Sequence, residues 1–125
     1  MNIAEIVHAK LCHSIGGASM KVLNVLRPGL DEKAYENALA IELRKRGHRV
    51  DQQQRFDVLD EGQLVDRLVP DLIVDELVIV DPKVTEQFTP THLAQMTGYL
   101  AITRLRLALL LNFKHADLRW KRVVQ

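Results

Sequence analysis

The 125-residue chain is long enough for one domain, and its 47% hydrophobic content can fill a real core. Three Phe, two Tyr and one Trp are too few for a base-stacking platform on single-stranded nucleic acid, and 17 basic against 16 acidic side chains leave a net charge of +1, so no uniform field steers a polyanion. The single cysteine, Cys12, excludes an internal disulfide framework and a cysteine zinc site, and no apolar run approaches the ~20 residues of a bilayer span. Met1-Asn2-Ile3-Ala4-Glu5 lacks the basic and apolar regions of a signal peptide. The expectation is a soluble, cytoplasmic protein with no membrane partner.

The first stretch has the helical period. Ile3, Val7, Leu11, Ile15, Ala18, Val22 and Val25 recur at steps of three and four, with a bend expected at Gly16-Gly17 and an end at Pro28-Gly29. A second helix starts near Asp31 and Glu32, acids favoured at a helix N-terminus, and runs through Tyr35, Leu39 and Leu43 to Arg46 before Gly47. The period then changes. Residues 50–59 and 63–69 flank Asp60-Glu61-Gly62, a turn between extended runs. Leu72-Ile73-Val74 and Leu77-Val78-Ile79-Val80 are apolar at every position, as strands covered on both faces should be. Thr89 as N-cap and Pro90 in the first turn open a helix carrying Leu93, Met96, Leu100 and Ile102. A buried strand over 105–113 and an outer strand over 118–124 complete an α/β domain with one mixed sheet.

Polar residues interrupt the two most apolar strands in one place: Pro70-Asp71 opens the first and Asp81-Pro82-Lys83 closes the second. With a three-residue loop, Asp75-Glu76-Leu77, Val74 faces Val78, Ile73 faces Ile79 and Asp71 faces Asp81. Lys83, two residues beyond Asp81, points to the same side. A two-residue loop would put the aspartates on opposite faces. Adjacent carboxylates repel and resist ionisation in a partly buried site. A divalent cation such as Mg2+, held by one or two carboxylates plus water and substrate phosphate, removes that cost and can activate water.

Pro70-Asp71 with Asp81-Pro82-Lys83 resembles the signature of the PD-(D/E)xK nuclease superfamily. Gly29-Leu30-Asp31-Glu32-Lys33-Ala34-Tyr35 is similar to the motif of its GxxExxY protein family, and Gln95-Met96-Thr97-Gly98-Tyr99 to the Q-apolar-x-x-Y motif of its RecB-type exonuclease branch. Thr89-Pro90-Thr91-His92 and Leu110-Leu111-Asn112-Phe113 resemble flanking family segments, so the likeness spans residues 15–125.

The resemblance implies a restriction-endonuclease-like core, a mixed central sheet flanked by helices, in a single domain over residues 1–125. Residues 1–27 would form an N-terminal helical segment and 28–125 the catalytic-type core. It further implies Mg2+ or Mn2+ held by Asp71, Asp81, the Pro82 backbone carbonyl and Glu32, Lys83 as the catalytic lysine, and Gln95 and Tyr99 at the scissile phosphate or bracing Lys83. Relatives often carry Glu-Leu-Lys where this chain has Asp81-Pro82-Lys83, and His where it has Leu23. Each residue also has a structural reading: Glu32 as a first-turn acid, the aspartates as strand ends, Lys83 as a solvated lysine, and Tyr35 as a core aromatic with its hydroxyl at the surface. Cys12 reads as core, and His92 as a brace for its helix.

The function the resemblance implies is a metal-dependent nuclease hydrolysing phosphodiester bonds, with DNA as partner by superfamily habit. The alternative is a catalytically silent nuclease-fold protein that binds nucleic acid or self-assembles. Arg44, Lys45, Arg46, Arg49, Lys114, Lys121 and Arg122 are the candidate phosphate contacts, although basic residues at a helix end are also ordinarily solvated. With one small, nearly neutral domain, a homo-oligomer is expected.

Overall fold

The computed structural model describes residues 7–125, so Ile3 and the residues before Val7 lie outside it. Helix α1 (Ala9–Leu26) and helix α2 (Glu32–Lys45) precede strands β1 (Val50–Gln52), β2 (Phe56–Asp60), β3 (Gln63–Leu68), β4 (Leu72–Val74) and β5 (Val78–Lys83). Helix α3 (Pro90–Thr103) and strands β6 (Leu107–Asn112) and β7 (Arg119–Val124) follow. The main sheet has the order β1-β4-β5-β6-β7; β5 and β6 are parallel, and the other neighbours antiparallel.

Alternation along the strands divides the core in two. Leu72, Val74, Val78, Val80, Leu107, Leu109 and Leu111 face α1 and α2, while Ile73, Ile79, Ala108 and Leu110 face Met96 and Leu100 of α3. Both sheet faces are thus covered, which is why Leu72–Val74, Val78–Val80 and Leu107–Leu111 are apolar at every position.

Sequence periodicity differs from the fold in three places. The run 50–59 is not one strand: the chain leaves the main sheet after Gln52, turns at Gln53 (φ 58°), and forms β2–β3 as a separate two-stranded sheet. Two sheets therefore replace the single one expected. Secondly, α1 runs unbroken through Gly16-Gly17. Gly16 serves a close approach instead, since a Cβ there would stand 2.5 Å from Cζ3 of Trp120 on β7. Thirdly, Ile102 faces outward at 36% exposure, while Leu100 is buried.

The Gly29–Tyr35 segment has a clear mechanical role. Gly29 takes φ 119° in the turn between α1 and α2. Tyr35 is fully buried, stacks on Phe113 at 4.8 Å, and reaches back across that turn. Its hydroxyl donates to the Arg27 carbonyl at 2.6 Å and accepts from Leu30 N–H at 3.2 Å. The hydroxyl is therefore inside the fold rather than at its surface. A Schellman-type end closes α2: His48 N–H donates to the Leu43 carbonyl and Gly47 sits at φ 91°. Thr89 and His92 form a reciprocal capping box on α3, so His92 is a brace.

The β4–β5 turn is anchored to the first layer. The Asp75 carboxylate accepts from His48 Nδ1–H at 2.7 Å and from Arg49 N–H at 2.8 Å, and His48 Nε2 shares a hydrogen bond with the Ser14 hydroxyl at 2.7 Å. This Ser-His-Asp array is a tie and not a nucleophile, because the amides around Ser14 are spent inside α1 and leave no donor for an oxyanion. Cys12 is fully buried, as its apolar helix face implies.

Gly16→Ala sets a gain in helix propensity of about 1 kcal/mol against overpacking, which costs about 1–3 kcal/mol. We expect net loss of stability in urea unfolding and a shifted emission of Trp120, the only tryptophan. Unchanged emission with raised stability would contradict the packing described.

Candidate active site

The β4–β5 register fixes the geometry. Val74 pairs with Val78, Ile73 with Ile79 and Leu72 with Val80, as a three-residue loop requires. The next step places Asp71 across from Asp81, on the face covered by α3. Asp75 and Glu76 make the loop possible with φ of 53° and 58°.

Asp81 is 3% exposed and belongs to β5, the central strand of the main sheet. Lys83 Nζ lies 3.4 Å from its Oδ1, near enough for charge attraction but not aligned for a hydrogen bond, so this buried oxygen has no hydrogen-bond partner. Lys83 also donates to Gln95 Oε1 at 3.4 Å, and Gln95 Nε2 donates to the Tyr99 hydroxyl at 3.1 Å. One helical turn apart on α3, Gln95 and Tyr99 thus overlook the pair of acids.

Pro82 fits its strand without a bulge. The Lys83 carbonyl accepts from Phe113 N–H at 2.9 Å, so Lys83 and Asp81 turn their backbone groups toward β6. Pro82 turns toward the other side, where β4 has already ended at Leu72. Its missing N–H costs no ladder bond, and its carbonyl points to the side on which Asp71 lies.

A different acid from the expected one faces Asp71. Glu32 Oε1 accepts from Val84 N–H at 3.0 Å, holding the strand end just past Lys83. Glu36, one turn further along α2 and only 4% exposed, is instead the carboxylate whose charge acts on Asp71. Gln53 bridges them: its Nε2 donates to Glu36 Oε2 at 3.0 Å and to Asp71 Oδ1 at 3.1 Å, and its N–H donates to the Asp71 carbonyl at 3.0 Å. Gln52 and Lys33 also donate to Glu36, at 2.6 and 3.0 Å. Glu36 was legible in principle, since it occupies the core-facing phase set by Leu39, Ala40 and Leu43. Gln53 had no local signal.

Electrostatics match this crowding. Burial, then the charge of Asp71, pushes the Asp81 carboxyl up to about 7. Burial, then the charge of Glu36, also raises Asp71. The two carboxyls are close enough for each to act on the other, and both are driven toward the protonated form. Burial and the two aspartates together raise the Tyr99 phenol, keeping it a neutral donor. A buried oxygen without a donor beside a second carboxyl suits a divalent cation, the group that lets both ionise. Among the described residues no cluster of three or more His, Cys, Asp or Glu side chains forms a metal site, so the acids offer two ligands and the rest would be backbone and water.

The model of the PD-(D/E)XK nuclease superfamily matches residues 9–123. The chain belongs to this superfamily. A search of curated proteins finds no match. Among solved structures, the chain is similar in fold to an alkaline exonuclease from Laribacter hongkongensis, with a TM-score of 0.50, 13% identity, and coverage of 86% of this chain and 76% of that one. The mixed sheet flanked by helices is accordingly a restriction-endonuclease-like core.

The basic residues fall in two groups. Arg44, Lys45, Arg46 and Arg49 sit at the end of α2 and the start of β1, by the β4–β5 turn, roughly 16 Å along β5 from Asp81 at ~3.3 Å per residue. Three of them are engaged: Arg44 donates to the Val50 carbonyl at 2.8 Å, Arg46 pairs with Glu42 at 3.0 Å, and Arg49 pairs with Asp51 at 3.2 Å and with Glu76. The second group lies near the acids. Lys121 shares a cross-strand row with Leu110 and Asp81, and Arg119 shares one with Asn112 and Lys83. Lys114 follows β6 and pairs with Glu86 at 3.3 Å. Arg122 pairs with Leu109, on the opposite face, and lies over the Trp120 ring at 5.2 Å.

A carboxyl raised from 3.8 to about 7 stays protonated in the folded chain while the unfolded chain ionises. The folded state then binds more protons between these values, so stability falls as pH rises through that window. In chelator, the urea midpoint should be lower near pH 8 than near pH 5, and Asp81→Asn should flatten the difference. A wild-type profile already flat across the window would contradict the raised Asp81 carboxyl.

Proposed function

We propose that this chain is a metal-dependent nuclease hydrolysing phosphodiester bonds of DNA. The observation that carries the reading is the convergence of Asp71, Asp81 and Lys83 on one sheet face, with a buried carboxylate oxygen left unpartnered, in a chain of a nuclease superfamily. Mg2+ or Mn2+ held by Asp71, Asp81 and the Pro82 carbonyl would activate water and neutralise charge on the phosphate. With such an ion bound, Asp71 and Asp81 would both ionise, releasing to solvent any proton held on either, and form the anionic floor of the site. Lys83, steadied by Gln95, orients the water or donates to the phosphate oxygen as the new P–O bond forms. Tyr99 keeps Gln95 in place; the attacking water loses its proton to bulk water as its bond to phosphorus forms, and the leaving oxygen takes one from solvent as its own bond breaks. Glu32 braces the strand end that carries Lys83, and Glu36 with Gln53 positions Asp71.

Gly29, Glu32 and Tyr35 support placing the chain in the GxxExxY group of the superfamily, as a single nuclease-like domain whose first helix packs into the same core as the rest. The silent alternative draws on Leu23, Pro82, the near-neutral charge and the small size of the core. Pro82 sacrifices no ladder bond, and Leu23 fills the core at 3% exposure, so the acids keep their places with both residues present.

Arg119 and Lys121, about 10 Å across two strand spacings from Lys83 and Asp81, are the phosphate contacts this site favours. Lys121→Ala should weaken binding evenly across sequences and reduce the salt slope of log K by about 1. Cleavage of linear DNA with Mg2+ or Mn2+ tests the central reading. Chelator should abolish it, and Asp71→Ala or Lys83→Ala should slow it by about a hundredfold or more. Cleavage indifferent to chelator, or equal in Asp71→Ala, would reject it.

A further inference from the structure

We propose that this protein docks onto further copies of itself head to tail, the β2–β3 hairpin of one copy entering the α1–α2 groove of the next. Much of the exposed large apolar surface of the described residues is gathered in these two places. Leu59, Leu64 and Val65 are 60%, 49% and 59% exposed near the tip of the hairpin, and Val25 and Ile41 are 67% and 56% exposed in the α1–α2 groove. Apolar patches rimmed by polar residues mark interaction surfaces more often than isolated exposed residues do.

Shape is suited to this. The hairpin is a two-stranded sheet of its own, a structure marginally stable in water without further packing. A register shift after Val58 sets Leu59 opposite Leu64 and leaves Val65 as the extra residue, so three aliphatic side chains crowd one end of the hairpin. The groove between α1 and α2 offers about 210 Å³ floored by Val22, Val25, Leu26, Ala38 and Ile41.

Charge decides which surfaces meet. Hairpin residues 55–67 carry four acids, Asp57, Asp60, Glu61 and Asp66, against two bases, Arg55 and Arg67. Arg67 is already paired with Asp57 at 3.3 Å, which leaves the tip acidic. Around the groove, Lys21 and Arg46 share Glu42 at 3.0 Å each, and Lys45 adds a further positive charge. Hairpin against hairpin and groove against groove would each bring like charges together, whereas hairpin against groove brings opposite ones. An acidic tip likewise disfavours a nucleic-acid occupant. Phe56 packs the hairpin base on the α3 side of the sheet, while the groove lies in the α1–α2 layer. The contact is therefore heterologous and builds rings or open chains, not an isologous dimer.

The docked tip is small beside a standard interface of about 800 Å² per partner, so association is weak and grows with concentration. The proposal rests on these surfaces and not on cleavage, and its test does not read activity. Sedimentation of the full chain from micromolar to millimolar concentration should show mass rising beyond the monomer. Leu64→Ser or Val25→Ser should each return it to monomer with unchanged circular dichroism. Asp60→Lys with Glu61→Lys in one chain, and Lys21→Glu with Lys45→Glu in another, should each weaken association alone and restore it when mixed, since every hairpin then meets a groove of opposite sign. A monomer throughout the range, or association untouched by both apolar variants, would overturn the proposal. So would variants that associate as strongly apart as together.

Discussion

The fold is organised around one costly juxtaposition, two carboxyls held side by side at the mouth of a buried hairpin. Asp71 and Asp81 cannot move apart, because the strands that carry them are locked by paired aliphatic rows and covered by helices on both faces. Burial and mutual repulsion favour the protonated forms. That energy is available to any cation able to displace the proton. Lys83 relieves only part of it: at 3.4 Å from Asp81 it attracts without completing a hydrogen bond.

Much of the surrounding structure serves to keep the acids there. Gln53 gives up ordinary backbone geometry to reach both Asp71 and Glu36, and it ends β1 in doing so. Glu32 secures the amide after Lys83, and Tyr35 clamps the turn that delivers Glu32 and Glu36 to their places. At the far end, Asp75 ties the hairpin turn to α1 through His48 and Ser14. Both ends of β4–β5 are therefore pinned from the helical layer, and the site inherits the rigidity of the core. The near-neutral net charge fits this economy, with cations placed locally rather than as a general field.

What could be read from sequence is what local physics determines. The both-face apolar runs gave away β4, β5 and β6, and from them the register that sets Asp71 across from Asp81. Thr89-Pro90 marked the start of α3, and with it the phase of Gln95 and Tyr99. The failures share a cause, since each depends on a contact distant in the chain. Gly16-Gly17 suggests a bend by propensity, yet Gly16 makes room for Trp120. The run from Val50 to Leu59 looks continuous, yet Gln53 leaves it for Asp71. Glu32 fits a motif, while Glu36, at the adjacent core-facing phase, makes the electrostatic contact. Family likeness singled out Asp71, Asp81 and Lys83, which the fold brings to one sheet face, but not Glu36, whose charge acts on Asp71.

The measurement closest to the central claim is calorimetric titration of the protein with Mn2+ near pH 6 in two buffers of different protonation enthalpy. If the raised Asp81 carboxyl holds a proton that the cation replaces, binding should release protons into the buffer, tighten as pH rises toward 7, and vanish in Asp81→Asn. Binding without proton release, or binding that survives in Asp81→Asn, would contradict the account.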